Sequence, residues 1–307
     1  MAKPITHGPD SRDGHVYDMP DDLRLAIEVA LAADRPLLLS GDPGSGKSSV
    51  APYYARLKGL RYYEHVITAR TQATDLLWTF DSVRRLGDAQ AHRGRLNDGD
   101  YVVPGVLWWA LAPESARSRG GLLAPSLHRD PAERFHHRRH PNGAVVLIDE
   151  IDKADPDLPN SLLVPLASHE FTVGDTGTPV RREADAGPPL IIITTNNERD
   201  LPQAFLRRCV TFTLPGPTRE RLVSIARLHL RHERRGLPET TRDLIVALAD
   251  ELMRVRATAD LGHQRLPSTA EYLDALRACL ALGITPDDPR WPLLRSLTLA
   301  KPAEAGR

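Results

Sequence analysis

The chain has 307 residues, of which 41% are hydrophobic and 26% charged, so it can bury a core and is not a disordered tail. Its 40 basic and 40 acidic residues balance, which argues against a protein dedicated to binding nucleic acid or a membrane surface. The two cysteines, Cys209 and Cys279, have neither disulfide-framework nor zinc-site spacing. There is no apolar signal core and no long apolar run, so we expect a cytoplasmic protein without membrane insertion.

The predicted elements begin with an irregular lead-in over residues 1–20, followed by an amphipathic helix from about Asp21. Short runs that are apolar throughout then indicate strands buried on both faces of a parallel sheet. These runs are residues 37–39, 62–66, 145–148, 190–193 and 210–214. Helical periodicity lies between them, in residues 48–57, 75–85 and 158–168. The alternation predicts a three-layer α/β domain over residues 21–215.

The pattern changes at Pro215, after which every periodic segment is helical. The predicted helices are residues 218–233, 239–254 and 268–282, with helix starts at Thr218 and Arg221 and at Ser268 and Glu271. We therefore place a smaller, all-helical domain over residues 216–307. Within the first domain, residues 112–143 lack a period and predict a long loop or a partly disordered insertion.

The segment Gly-Asp-Pro-Gly-Ser-Gly-Lys-Ser at residues 41–48 fits the pattern G-x-x-x-x-G-K-[ST]. It lies between a predicted strand and a predicted helix, a context that argues against a simple glycine-rich turn. Its glycines let backbone N–H groups point at phosphate oxygens, and the helix start adds positive potential. The lysine can reach the β and γ phosphates, and the following hydroxyl can ligate magnesium. The predicted nucleotide-binding residues are Gly41, Asp42, Pro43, Gly44, Ser45, Gly46, Lys47, Ser48 and Ser49.

Two carboxylates, Asp149 and Glu150, follow the predicted strand at 145–148. Since buried carboxylates need partners, Mg2+ is the natural partner for Asp149. Glu150 is placed to accept a proton from an attacking water. A strand that leads into an acidic surface turn is the alternative. Asp152 and Asp155 precede a proline and a helix, which favours a capping role.

Four segments in order, residues 41–48, 145–155, 191–198 and 201–209, resemble AAA+ ATPases of the MoxR-like branch. The resemblance spans about residues 20–285. It implies a P-loop α/β domain, a helical lid, and subunits that self-associate into a ring, often a hexamer, with ATP and Mg2+ between them. In this resemblance Lys47 and Ser48 are similar to the Walker A lysine and magnesium ligand. Asp149 and Glu150 are similar to the Walker B pair.

The resemblance assigns three further roles. Asn196 is similar to the sensor 1 asparagine that holds the lytic water, with Asn197 as the adjacent alternative; either could otherwise cap a turn. Arg208 resembles the arginine finger that reaches the neighbouring subunit's nucleotide, and Arg207 beside it stays an alternative. Arg265 is the candidate for the lid's sensor 2 arginine, although it precedes the helix start, which Ser268 and its neighbour occupy.

Residues 170–178 alternate into a Gly/Asp turn and predict a hairpin, which in this branch commonly lies on the face that handles the client. Trp108 and Trp109 could grip a substrate near a ring pore, although ordinary packing of at least one of them is favoured.

The histidines of the predicted loop lack ligand spacing, which favours a solvated segment over a metal site. They are His128, His136, His137 and His140. The basic run at residues 134–139 is too short to make nucleic acid an expected partner. Cys209 is expected to be a small buried side chain, because no motif nearby would lower its pKa.

The leading hypothesis is an ATP hydrolase that remodels or matures a protein client. A nucleotide-controlled scaffold or switch that recruits an effector is the second hypothesis. A DNA-acting motor is the third, and the net charge of zero argues against it.

Overall fold

The structure, a computed structural model, describes residues 14–91, 96–119, 130–131, 133, 139–184, 186–233, 238–258 and 266–299. The chain divides into two compact units. The sheet unit comprises Asp21–Ser40 and Ala51–Thr213. The helical unit comprises the described parts of Met1–Pro20, Gly41–Val50 and Leu214–Arg307.

Strands and helices alternate through the first two thirds of the chain. The strands are β1 (Leu37–Ser40), β2 (Leu60–Val66), β3 (Trp78–Phe80), β4 (Val102–Pro104), β5 (His140–Asp149), β6 (Glu170–Val173), β7 (Thr178–Arg181), β8 (Leu190–Thr195) and β9 (Val210–Thr213). The helices are α1 (Asp21–Ala32), α2 (Lys47–Lys58), α3 (Ala73–Leu77), α4 (Ser82–Gln90), α5 (Val106–Leu111), α6 (Pro113–Ser118), α7 (Leu158–Ser161), α8 (Leu163–Ser168), α9 (Gln203–Leu206), α10 (Arg219–His232), α11 (Glu239–Thr258), α12 (Thr269–Leu282) and α13 (Trp291–Thr298).

Five parallel strands form the central sheet in the order β2-β5-β8-β1-β9. The register pairs Ser40 with Thr195 and Val66 with Asp149. The carboxyl ends of the strands therefore share one edge, which is where parallel α/β sheets place their ligands.

Helices flank this sheet, and both of its faces are buried. Consecutive β1 residues such as Leu38 and Leu39 are both inaccessible to solvent, as the continuous apolar runs predict. Helix α1 buries Leu23, Ile27 and Ala30 and packs against β1, β8 and β9. The three-layer α/β architecture with a helical C-terminal region is thus confirmed.

The prediction of one helix over residues 75–85 is wrong. The chain there forms α3, then β3, then α4, whose N-terminus is capped by the Asp81 carboxylate accepting the Arg84 N–H at 3.0 Å. Strand β3 pairs antiparallel with β4, which lies more than twenty residues later. This distant pairing overrides the local helical period.

Two further departures concern helices. The helix predicted over residues 158–168 is divided at Leu162 into α7 and α8. Helix α5 was not predicted, because its residues are apolar all round and give no amphipathic period. Trp108 and Trp109 on α5 are 0% and 1% exposed, so they are core residues and the substrate-gripping alternative is wrong.

The helical unit packs α10, α11, α12 and α13 around a core of leucine, alanine and aromatic side chains. Both predicted helix starts are confirmed. Thr218 Oγ1 accepts the Arg221 N–H at 3.3 Å, and Ser268 forms a reciprocal capping box with Glu271. From Leu214 onward the described residues contain no strand, as predicted, whereas α13 was not predicted.

The predicted hairpin is present as β6 and β7. The loop predicted over residues 112–143 is replaced at its start by α6 and at its end by β5, and most of its middle lies outside the described residues. Within the described residues, no helix combines the length and the hydropathy needed to cross a membrane.

Candidate functional site

The glycine-rich loop between β1 and α2 has a backbone that glycine makes possible. Gly41, Gly44 and Gly46 all have positive φ, at 146°, 73° and 93°. Two tight turns fold the segment, with the Ser45 N–H bonded to the Asp42 carbonyl and the Ser49 N–H bonded to the Gly46 carbonyl, each at 3.2 Å. The loop therefore curls on itself before α2 begins, as a phosphate-binding nest requires.

Lys47 is the first residue of α2 and is only 5% exposed. Its Nζ donates to the carbonyls of Gly41 at 2.7 Å and Asp42 at 2.9 Å. These bonds fold the lysine back over its own loop. Its ammonium is thus held at the start of a helix, where an anion would also meet the helix dipole.

Other parts of the helical unit pack closely against two glycines of this loop. A Cβ on Gly44 would lie 2.3 Å from Ser268 Oγ, and one on Gly46 would lie 3.3 Å from a ring carbon of Tyr17. The Ser45 hydroxyl is buried and has no hydrogen-bond partner among the described residues. A tight backbone cradle with an orphaned buried hydroxyl fits a bound phosphate group.

In the sheet unit, the carboxylate of Asp149 ends β5 and is buried. Thr194 Oγ1, on the adjacent strand β8, donates to Asp149 Oδ1 at 2.6 Å. A buried carboxylate at the end of a central strand is the type of oxygen donor that Mg2+ prefers. The chemistry of the donor set therefore fits a divalent metal.

Glu150 has a left-handed backbone, with φ 61° and ψ 51°, which is strained for a residue with a side chain. Its N–H donates to Thr194 Oγ1 at 2.9 Å. Its Oε2 accepts a 2.7 Å bond from Lys153 Nζ, and this hydrogen bond raises the pKa of the Lys153 ammonium. The Asp149 carboxylate thus accepts from Thr194, and the Glu150 carboxylate accepts from Lys153.

The capping role predicted for Asp152 is wrong. Asp152 is buried, and its Oδ2 accepts the N–H groups of Asn196 and Glu198, each at 3.0 Å. It therefore fixes the backbone that follows β8, where Asn196 lies half-buried.

Asn197 is exposed and has a left-handed backbone, with φ 58°. Asp155 accepts the Asp157 N–H at 3.0 Å, which is a local turn contact before α7.

The two candidate finger arginines follow α9, and both side chains are exposed. Arg208 Nη1 donates to the Ala204 carbonyl at 3.3 Å within its own segment. The backbone of Arg207 is held in place, because its carbonyl accepts a hydrogen bond from Arg35 Nη1 at 2.8 Å. Cys209, predicted to be a small buried side chain, is partly buried, and burial raises the pKa of its thiol to about 11.

Several residues next to these groups were not identified from the sequence. They are Tyr17, Lys153, Thr194 and Arg256, together with the buried role of Asp152. Thr194 was within reach of prediction, because it directly follows the apolar run at 190–193 that predicted a buried strand. Tyr17 was not, since the lead-in carries no hydrophobic period. Burial raises the pKa of the Tyr17 hydroxyl to about 12.

Some predicted residues lie outside the described part of the chain. They are Arg265, His128, His136, His137 and residues 134–138 of the basic run.

Comparison with known proteins gives one family match. The sequence profile of the AAA domain (dynein-related subfamily) matches residues 36–209, more than half of the 307 residues. No curated protein matches the chain significantly. The family assignment therefore rests on the profile match.

Two solved structures are similar to this chain. One is a "putative ATPase" from Cytophaga hutchinsonii, 16% identical with a TM-score of 0.42, over 85% of this chain and 73% of that one. The other is domain III of the Thermotoga maritima replication initiation protein DnaA, 17% identical with a TM-score of 0.44, over 95% and 97%.

Proposed function

Since the chain belongs to the AAA domain family (dynein-related subfamily), we propose that it is an ATP hydrolase of the MoxR-like branch. It binds ATP with Mg2+ and couples binding and hydrolysis to the remodelling or maturation of a protein client.

The glycine-rich loop carries this proposal. Three glycines with positive φ, a buried lysine folded over the loop and a buried Ser45 hydroxyl without a partner in the described part of the chain together form a tight backbone cradle. Phosphate oxygens satisfy such a set of donors. Residues 41–49 are therefore proposed to hold the phosphates of the nucleotide.

Residues at the start of α2 and at the ends of β5 and β8 supply the chemistry in this proposal. Ser48 and Asp149 would hold the Mg2+ ion, which would supply positive charge to offset that of the nucleotide's phosphates. Glu150 takes the proton of the attacking water, and the Asn196 amide orients that water. Hydrolysis splits the bond between the β and γ phosphates and yields ADP and inorganic phosphate.

A ring arrangement supports catalysis in the proposal. The exposed side chain of Arg208 is free of ion pairs to carboxylates in the described residues, and it follows α9 as a finger arginine would. Such an arginine stabilises transition-state charge on a neighbour's nucleotide. We therefore place ATP between subunits of a ring, in keeping with a hexamer, and the β6–β7 hairpin on the face toward the client.

A nucleotide-controlled switch is the second candidate, and one contact favours it. Lys153 Nζ engages the Glu150 carboxylate at 2.7 Å. A base held in an ion pair accepts protons poorly, which would keep turnover low until an effector or client releases it. The balance of acidic and basic residues gives no comparable support to a DNA-acting motor.

One set of measurements separates these functions. ATP turnover by the purified chain is followed against protein concentration, and then with candidate protein clients or with duplex DNA. A rate per subunit that rises with concentration and with a protein client supports the remodelling ATPase. Tight nucleotide binding with negligible turnover under all conditions supports the switch, and stimulation by DNA alone supports the motor.

Mixing two variants tests the shared site. Glu150→Gln lacks the base and Arg208→Ala lacks the finger, so each alone should be inactive. In mixed rings, the Arg208→Ala subunit keeps its base and receives a finger from its Glu150→Gln neighbour. Activity that appears on mixing supports the proposal, and its absence contradicts Arg208 acting between subunits. The same mixture with Arg207→Ala tests the alternative arginine.

A further inference from the structure

Arg256, near the end of α11, contacts the phosphate loop. Its Nη2 lies 3.1 Å from Asp42 Oδ2, and its Nη1 donates to the Pro267 carbonyl at 2.7 Å. The arginine side chain is 16% exposed. Its planar guanidinium thus bridges the loop and the segment that precedes α12. It does so with two separate nitrogen atoms, whereas a lysine has only one.

The partner of this arginine is an acid within the phosphate loop. The Asp42 carbonyl accepts from Lys47 Nζ at 2.9 Å, so the residue lies beside the loop's own cation. A carboxylate at this position repels phosphate groups that enter the loop, unless a cation offsets its charge. In the described residues Arg256 is the cation that forms a salt bridge with Asp42.

The second bond of Arg256 acts on the same region. Pro267 directly precedes Ser268, and a Cβ on Gly44 would lie 2.3 Å from the Ser268 hydroxyl. The Ser268 position is itself fixed by Glu271, whose Oε2 accepts from the Ser268 N–H at 2.7 Å. The guanidinium therefore holds both the acid of the loop and the helix start that packs on the loop.

We propose that Arg256 is a positioning residue for nucleotide binding, which neutralises Asp42 and fixes the phosphate loop against the start of α12. The inference rests on the proposed nucleotide-binding function and adds to it a residue outside the predicted motifs. It implies that the charge that bound phosphates encounter at the loop depends on the pair of Asp42 and Arg256, which are 214 positions apart in the sequence.

The test measures dissociation constants for ADP and for the non-hydrolysable analogue AMP-PNP, each with Mg2+, by isothermal titration calorimetry. Arg256→Ala should weaken binding by about 1.5- to 5-fold, the range for a partly exposed charge pair. Asp42→Asn, which keeps a hydrogen-bond acceptor and removes the negative charge, should bind more tightly than the wild type, because the positive charge of Arg256 is then no longer offset. The double variant should recover most of the loss, and the loss in Arg256→Ala should shrink at high salt.

A matched control lies on the same helix. Arg254 pairs with Glu251 and its side chain is 55% exposed, so Arg254→Ala should bind like the wild type. Arg256→Lys keeps the charge without the fork and should lie between the wild type and Arg256→Ala. Circular dichroism of each variant reports whether it is folded.

The outcomes separate two failures. If the wild type binds neither nucleotide, the proposed function is contradicted. If the wild type binds but Arg256→Ala binds equally well, or Asp42→Asn does not rescue the double variant, the role of Arg256 is contradicted and the proposed function stands. If Arg256→Ala fails to fold, the nucleotide affinity of Asp42→Asn alone tests the proposal. Weaker binding by Asp42→Asn than by the wild type contradicts the claim that Arg256 neutralises Asp42.

Discussion

Thr194 Oγ1 donates to Asp149 Oδ1 at 2.6 Å and accepts the Glu150 N–H at 2.9 Å. One hydroxyl on β8 thus positions both acidic residues at the end of β5. Because Thr194 and Asp149 are buried, water cannot readily replace this hydrogen bond, and its loss would lower the free energy of unfolding. Asp149 is fixed through its side chain and Glu150 through its backbone.

Replacement of this hydroxyl should therefore impair stability and turnover together. Thr194→Val keeps the shape of the side chain and removes the hydrogen bonds that Thr194 makes with Asp149 Oδ1 and the Glu150 N–H. We expect a loss of about 1–3 kcal/mol in the free energy of unfolding. We also expect kcat for ATP to fall at least tenfold. Chemical denaturation and a steady-state ATPase assay measure the two effects.

Thr211→Val on β9 is the matched control, since Thr211 is exposed and the same substitution there removes no buried hydrogen bond. Equal stability and turnover in Thr194→Val and the wild type would show that the hydroxyl does not position the strand end.

Lys47→Ala should abolish measurable nucleotide binding. The ammonium of Lys47 is buried at the start of α2, and its removal leaves the loop carbonyls of Gly41 and Asp42 without their donor. Calorimetry with Mg2+ and ADP is the measurement. Lys58→Ala, at the exposed end of the same helix, should bind as the wild type does. Retained affinity in Lys47→Ala would refute the assignment of the loop.

Gly44→Ala should destabilise the helical unit and weaken nucleotide binding. The new Cβ meets Ser268 at 2.3 Å, and the residue has a φ of 73° that disfavours side chains. Gly283→Ala has a φ of 65° with nothing within 4 Å, so it isolates the backbone cost of about 1–2 kcal/mol. Thermal unfolding should show a larger loss for Gly44→Ala, and only that variant should lose affinity. Equal losses would mean that the contact with Ser268 does not constrain the loop.

The two cysteines should be unreactive in the folded chain. Burial raises the pKa of both Cys209 and Cys279 to about 11, and only the thiolate reacts with alkylating agents. Below about pH 9 the folded chain should therefore react slowly with iodoacetamide, and unfolding in urea should accelerate the reaction of both thiols. Mass spectrometry of each peptide follows the reaction. Rapid labelling of Cys209 at neutral pH would show that its thiol is activated beside Arg208.

The site motifs could be predicted because each is encoded in a short stretch of sequence. Residues 41–48 specify their own turn, and the apolar run before Asp149 specifies its strand. Parallel pairing then brings Asp149 opposite Thr194 at one edge of the sheet. The sequence also indicated the capping box at Ser268, since a serine and a glutamate three positions apart form it locally.

The remaining features depend on partners that are distant in the sequence. Strand β3 forms because β4 pairs with it, although its residues continue a helical period. The carboxylate of Asp152 caps no helix because two N–H groups after β8 compete for it. Nothing near Arg256 in the sequence indicates Asp42, which becomes its neighbour only in the folded helical unit.

The most direct test of the account compares Glu150→Gln with the wild type in two assays on the same preparations. If Glu150 is the base, the variant should bind Mg2+ and ATP with an affinity close to that of the wild type. Its steady-state release of phosphate should fall at least a hundredfold, consistent with the loss of a general base. Hydrolysis by Glu150→Gln at the wild-type rate would contradict the assignment of Glu150 and the catalytic account built on it.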